Sequence, residues 1–102
     1  MRAVLFLRYS TAMAFHVYIL RCADATFYTG YAKDVASRLA LHNGDKKGGA
    51  RYTSGRRPVR LIYTEACESK SAAMQREYAI KQLSRIEKQH LIRSVRRTKN
   101  SV

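Results

Sequence analysis

Acidic residues are scarce in this sequence: 7 Asp and Glu stand against 20 Lys and Arg in 102 residues, a formal net charge of +13. A field of that sign draws polyanions, and nucleic acid is the commonest of them. An anionic membrane surface is the rival partner, but it calls for a basic amphipathic helix with a bulky apolar face, and no such helix is evident. No apolar run approaches the ~20 residues of a membrane span, so a soluble protein with no membrane partner is expected. Cysteine is nearly absent too. Cys22 and Cys67 are too few for a disulfide framework, and with three scattered histidines they have no zinc-site spacing. They read as small buried hydrophobes in a reducing, cytoplasmic setting, and their spacing leaves open whether they adjoin. No internal repeat or second domain boundary is visible.

The chain is long enough to bury one core unaided. Residues 1–14 are the part that fits least. A short apolar run, Ala3 to Leu7, precedes Ala12-Met13-Ala14, which resembles a cleavage site, but Arg8 ends the run before the roughly seven residues a secretory core needs. Residues 1–14 are therefore expected to be an N-terminal extension, with Met13 as the working start and residues 1–12 added before it, or alternatively an added strand.

The densest pattern lies between His16 and Gly30. Two β-branched and aromatic runs, Phe15 to Cys22 and Thr26 to Tyr31, flank a short polar break, which is a hairpin signal. A loop of odd length, such as Ala23-Asp24-Ala25, puts Tyr18 and Tyr28 on one face; an even loop without a bulge separates them. Asp34 then caps a helix from Val35 to about Asn43, with Arg38 and His42 beside the Val35/Leu39 stripe. Asp45 to Pro58 is a long cationic loop containing Lys46, Lys47, Arg51, Arg56 and Arg57 around Tyr52, suited to following a phosphate chain. Val59 to Ala66 alternates as a third strand, Val59, Leu61 and Tyr63 against Arg60, Ile62 and Thr64. Ser69 or Ser71 caps a helix running to about Leu83, in which Glu77 borders the buried face with Lys81 four residues on. Ser84 and Glu87 form a capping box for a last helix, Arg85 to about Val95, and residues 96–102 form a basic, flexible tail. The expected fold is α+β: a small three-stranded antiparallel sheet flanked by three helices, spanning residues 15–95.

In this order the residues resemble the GIY-YIG nuclease domain, in particular its small stand-alone bacterial branch. Val17-Tyr18 stands for the first motif, with His16 where the family has glycine. Tyr28-Thr29-Gly30 stands for the second, followed by Tyr31 where several relatives have lysine. Arg38, His42 and Glu77 occupy the matching helix positions, and Gly48 to Thr53 with Arg57-Pro58 looks like the loop of the stand-alone and structure-selective branches.

The resemblance implies a metal-dependent endonuclease that hydrolyses DNA phosphodiester bonds, acting on branched or damaged structures in repair or recombination. It assigns Glu77 to a Mg2+ or Mn2+ ion, and Arg38 to the scissile phosphate, whose paired oxygens fit its fork. Tyr18 is the first choice of general base with Tyr28 orienting it. His42 stands as the alternative base or proton shuttle, because a phenol near pKa 10 needs help to ionise at neutral pH. Lys33, Lys46, Lys47, Arg51, Tyr52, Arg56 and Arg57 would contact DNA. Two other readings use the same basic field without chemistry: a nucleic-acid-binding module, and an interaction domain that docks a partner enzyme on DNA. The catalytic reading carries a geometric condition, that Tyr18 and Tyr28 share a face and point toward Arg38.

Overall fold

The computed structural model describes residues 14–44 and 51–100, without the side chains of 96–100. Lys46 and Lys47, and residues 1–13 of the expected extension, lie outside the described residues.

Three strands form one antiparallel sheet in the order β2-β1-β3: β1 Phe15–Arg21, β2 Phe27–Ala32 and β3 Arg60–Cys67. β1 is central because it can be buried on both sides. Val17 and Ile19 fill one face and Tyr18 and Leu20 the other, all at 1 % exposure or less. The Val17/Ile19 face carries the larger core, with Tyr63, Ala73, Ile80 and Ile92. The Tyr18/Leu20 face carries a second cluster with Cys22 and Val59, flanked by Tyr28, Val35 and Leu39.

The hairpin closes through a three-residue loop. Cys22 N–H donates to the Thr26 carbonyl and Ala25 N–H to that of Cys22, while the Asp24 carboxylate accepts from Thr26 N–H and Oγ1. Ala25 supplies the left-handed residue such a loop requires, at φ 69°. The loop is odd, so Tyr18 lies opposite Gly30 and Tyr28 opposite Leu20, and the two tyrosines share a face.

A bulge breaks the expected alternation of β3. Ile19 faces Tyr63 but Leu20 faces Leu61, which leaves Ile62 as the extra residue. Val59, Leu61 and Tyr63 therefore do not share a face: Val59 joins the Tyr18 cluster, Tyr63 the opposite core, and Leu61 is exposed. The two cysteines part in the same way. Both are buried, but Cys67 lies opposite Phe15 at one end of β1 and Cys22 follows its other end, in the other cluster.

The helices begin where their caps place them. Asp34 accepts from Ser37 N–H to open α1, Val35–His42. Part of the expected loop is a single helical turn, α2, Arg51–Ser54. Ser69, of the two candidate serines, caps α3, Lys70–Lys81, by accepting from Ala72 N–H. Ser84 and Glu87 cap α4 reciprocally. That helix, Arg85–Asn100, runs past the expected end at Val95, because Arg96 to Asn100 contains neither glycine nor proline to stop it. On α3, Ala73 and Ile80 face the core while Met74 is exposed.

Candidate active site

Tyr18, Tyr28, Gly30, Arg38 and Glu77 line one cavity of about 410 Å³ against β2, an edge strand of the sheet. They come from β1, β2, α1 and α3, so no short segment of chain could form the site alone. The Tyr18 hydroxyl lies over Gly30: a Cβ added there would stand 2.6 Å from Oη and 2.7 Å from Cζ. Glycine is thus what allows the first tyrosine to lie across the second motif.

Behind Tyr18 sits His42, fully buried at the end of α1. Its Nε2 is 3.0 Å from Tyr18 Oη and its Nδ1 is 2.9 Å from Thr53 Oγ1. Each ring nitrogen therefore faces a hydroxyl, and a neutral imidazole can accept on one side and donate on the other. Burial holds the His42 pKa below the usual histidine value, and the cations Arg38 and Arg57 push the same way, so the ring is neutral near pH 7. Tyr28 packs on His42 with ring centroids 4.9 Å apart, and the Tyr52 ring lies 5.8 Å from that of Tyr28.

Both motif tyrosines have raised pKa values, with burial the main cause. Arg38, beside Tyr18, pulls that phenol back without winning. Tyr18 is consequently a protonated hydroxyl in the resting protein and not a standing phenolate.

Glu77 is mostly covered, at 20 % side-chain exposure, and Lys81 Nζ lies 3.6 Å from its Oε2. Among the described residues no three His, Cys, Asp or Glu side chains come together as a metal cage. A single carboxylate beside a polar cavity suits a hard ion that keeps most of its waters, which Mg2+ and Mn2+ do. The lining therefore suits the expected ion, and Glu77 is the one carboxylate it offers.

The residues expected to contact DNA divide. Arg56 donates to Asp24 and to the Tyr52 carbonyl and lies 4.1 Å over the Tyr52 ring. Arg57 donates from Nε to the His42 carbonyl, closing the end of α1 beside Gly44, whose φ is 85°. Both arginines fasten the α2 turn to the hairpin and to α1. Arg51 and Tyr52 are exposed. Lys33 lies 5.5 Å over Phe15 and borders a different cavity, with His16 and Asp34.

Two residues at the heart of this arrangement escape sequence reasoning. Thr53 is fully buried against His42. Asn43 holds both polar groups of Val59, donating to its carbonyl at 3.0 Å and accepting its N–H at 2.7 Å. Nothing local distinguishes Thr53 from any loop threonine. Asn43 is visible as a helix stop, but not as a clamp on β3.

Comparison with known proteins agrees with this geometry. Residues 14–90 match the GIY-YIG catalytic domain. The chain belongs to the GIY-YIG family. That is a family of nucleases, and its members generally use divalent metals. Among its relatives, a UPF0213 protein of Halobacterium salinarum is 58% identical over 77 residues, covering 74% of this chain and 96% of that protein. A UPF0213 protein of Staphylococcus aureus is 52% identical over 77 residues, covering 76% and 92%. The solution structure of a UPF0213 protein from Bacillus halodurans aligns with a TM-score of 0.50 at 49% identity, covering 78% of this chain and 83% of that one. That of a protein from E. faecalis aligns at 0.56 and 34%, covering 81% and 86%. This GIY-YIG chain thus shares the fold of small stand-alone members found in bacteria and archaea and spans nearly their whole length. No helix among its described residues is long and apolar enough to cross a membrane.

Proposed function

We propose that the protein is a metal-dependent endonuclease that hydrolyses DNA phosphodiester bonds at the cavity between Tyr18, Arg38 and Glu77. One observation carries this reading: Tyr18 lies in hydrogen-bond reach of a buried, neutral imidazole, with a cation and a carboxylate lining the cavity it borders. A binding surface needs cations, but not a proton path leading inward from them.

Hydrolysis requires that a water lose its proton as it attacks phosphorus. In the productive tautomer His42 donates Nδ1–H to Thr53 Oγ1, and Nε2 accepts the Tyr18 hydroxyl. Tyr18 then takes the proton of the attacking water while passing its own to Nε2, so no free phenolate has to form. This divides the base function between the two candidates: Tyr18 touches the water and His42 receives the proton. Arg38 binds the non-bridging phosphoryl oxygens, where its charge offsets what develops in the transition state. Glu77 would hold the Mg2+ or Mn2+, which when bound would supply Lewis acidity at the phosphate. Tyr28 keeps the imidazole in place and, with Tyr52, offers a ring surface to the nucleic acid.

The reading favours DNA structure over sequence, since contacts to phosphate carry no sequence information. Labelled branched, nicked and linear DNA incubated with Mg2+ or Mn2+ tests it, beside Tyr18→Phe and Glu77→Ala. Metal-dependent cutting that both variants lose is the expected result. Undiminished DNA binding by all three proteins without any cutting would overturn it in favour of a non-catalytic DNA-binding module.

A further inference from the structure

On the sheet face opposite Tyr18, four arginines surround a cavity of about 240 Å³. The bulge in β3 creates it. Without the extra residue Ile62, Arg60 would turn to the Tyr18 face; with it, Arg60 lies directly opposite Arg21 on the far face. Phe27 continues the same row from β2 as the other neighbour of Arg21. Over this row lies α4, whose Arg85, Gln89 and Arg93 recur at intervals of four and so share one helix face. The Arg85 guanidinium rests 4.4 Å from the Phe27 ring centroid, in reach of a cation–π contact.

Like charges paired across strands repel. No carboxylate lines the cavity, and none of the four arginines makes an ion pair among the described residues. The carboxylates that form ion pairs are engaged elsewhere, Asp24 with Arg56, Glu65 with Arg76 and Glu77 with Lys81. Forked donors without an internal acceptor, around a cavity that also offers an amide, suit groups bearing several anionic oxygens.

We infer that the Arg21/Arg60/Arg85/Arg93 cavity is a second phosphate-binding site, which takes the backbone of a DNA segment lying outside the cleavage cavity. The cleavage cavity opens at the β2 edge, lined by Tyr18 from one face and by Tyr31 and Glu77 from the other, whereas this cavity lies on the far face at the Arg21 end of β1. A DNA held at both is gripped at two separate places, which a branched or sharply bent molecule supplies and a short duplex seated at the cleavage cavity does not. The inference rests on the proposal that DNA is the substrate, but it does not require that cutting occur.

The test is equilibrium binding without divalent metal, read by anisotropy of labelled branched and short linear DNA over a range of salt. Each phosphate that the protein no longer neutralises lowers the slope of log affinity against log salt by about 0.9. Arg60→Gln with Arg93→Gln should lower it by about two on branched DNA and leave it unchanged on the linear duplex. Lys70→Gln with Lys88→Gln removes the same charge without touching the cavity lining and should change both DNAs slightly and alike. Equal losses from both double variants, or no loss from the first, would overturn the inference, as would a wild type that does not bind DNA. Inorganic pyrophosphate followed by amide shifts should perturb Arg21, Phe27 and Gln89. Pyrophosphate binding with an unchanged DNA slope would make the cavity a site for free phosphates and refute the DNA assignment. A wild type that binds as described but never cuts would sink the nuclease reading and leave this one standing.

Discussion

Gly30→Ala is the smallest change that should separate the two motif tyrosines from their work. The new methyl would stand 2.6 Å from Tyr18 Oη, 2.7 Å from Cζ and 3.3 Å from Cε1. Carbon contacts settle near 3.5–4.0 Å, so the end of the ring must retreat by about 1 Å. It has little room to do so. Tyr18 is 1 % exposed, its hydroxyl is held by His42, and its cluster includes Leu20 and Val59. Overpacking of this kind costs about 1–3 kcal/mol, and losing the hydroxyl–imidazole bond adds ~0.5–1.5. The lower chain entropy of alanine returns ~0.5–1 kcal/mol. A net loss of about 1–3 kcal/mol lowers the melting temperature by roughly 4–8 °C per kcal/mol in a domain of this size. A displacement of ~1 Å at a reacting group costs ~100-fold in rate. Thermal melts and the cutting assay measure the two effects separately. In a Tyr18→Ala background the alanine has nothing to meet, so its penalty should vanish. Wild-type melting and cutting by Gly30→Ala, or the same penalty in both backgrounds, would refute the contact as the reason for glycine.

His42 is neutral and buried in the folded protein, so its folded pKa lies below its unfolded value. Its contribution to stability is complete above pH ~6.5 and declines as the pH falls from there through the folded pKa, by at most ~1.4 kcal/mol per pH unit. Urea titrations at several pH values should show that slope in the wild type and lose it in His42→Leu. Asn43→Ala leaves the N–H and carbonyl of Val59, itself 3 % exposed, without their partners. A loss of about 2–3 kcal/mol by denaturant titration is expected, with Asn43→Asp intermediate because it keeps the acceptor. Arg60→Thr removes one of two like charges paired across strands and should raise the melting midpoint, by up to ~1 kcal/mol in stability; an unchanged or lower midpoint would mean that no repulsion is present.

The candidate site also lets its residues be ranked by what else they do. Arg56 and Arg57 are expected among the DNA contacts, yet each makes internal bonds that hold the α2 turn in place. Substituting them would lower DNA affinity and loosen His42 together, so a loss of activity there would not identify a DNA contact. Arg51, exposed and next to Tyr52, offers a cleaner probe. Glu77 has a similar double character. Its pairing with Lys81 is what any helix with Glu and Lys four apart would form, and such a pair contributes ~0.3–0.5 kcal/mol. A carboxylate held so weakly remains available to a divalent ion.

The sequence by itself determined whatever depends on neighbours a few residues apart. Asp34, Ser69 and the Ser84/Glu87 pair cap their helices within three residues, so the helix starts were legible. The β-branched and aromatic run of β1 announced a strand, and the ordered tyrosines, arginine, histidine and glutamate pointed to the family. The excess of basic residues pointed to a polyanion. Tertiary structure decided everything that turns on register and on side chains meeting across elements. A loop one residue shorter would have put Tyr18 and Tyr28 on opposite faces, and only the closed hairpin settles its length. The β3 bulge, which sends Arg60 to the far face, gave no signal, because the energy that places it lies in packing against β1 and not in β3 itself. Thr53 looked like part of a solvated loop until α2 folded it against His42. Local capping energies act within a segment, whereas strand register and buried hydrogen bonds are fixed by partners far away in the chain.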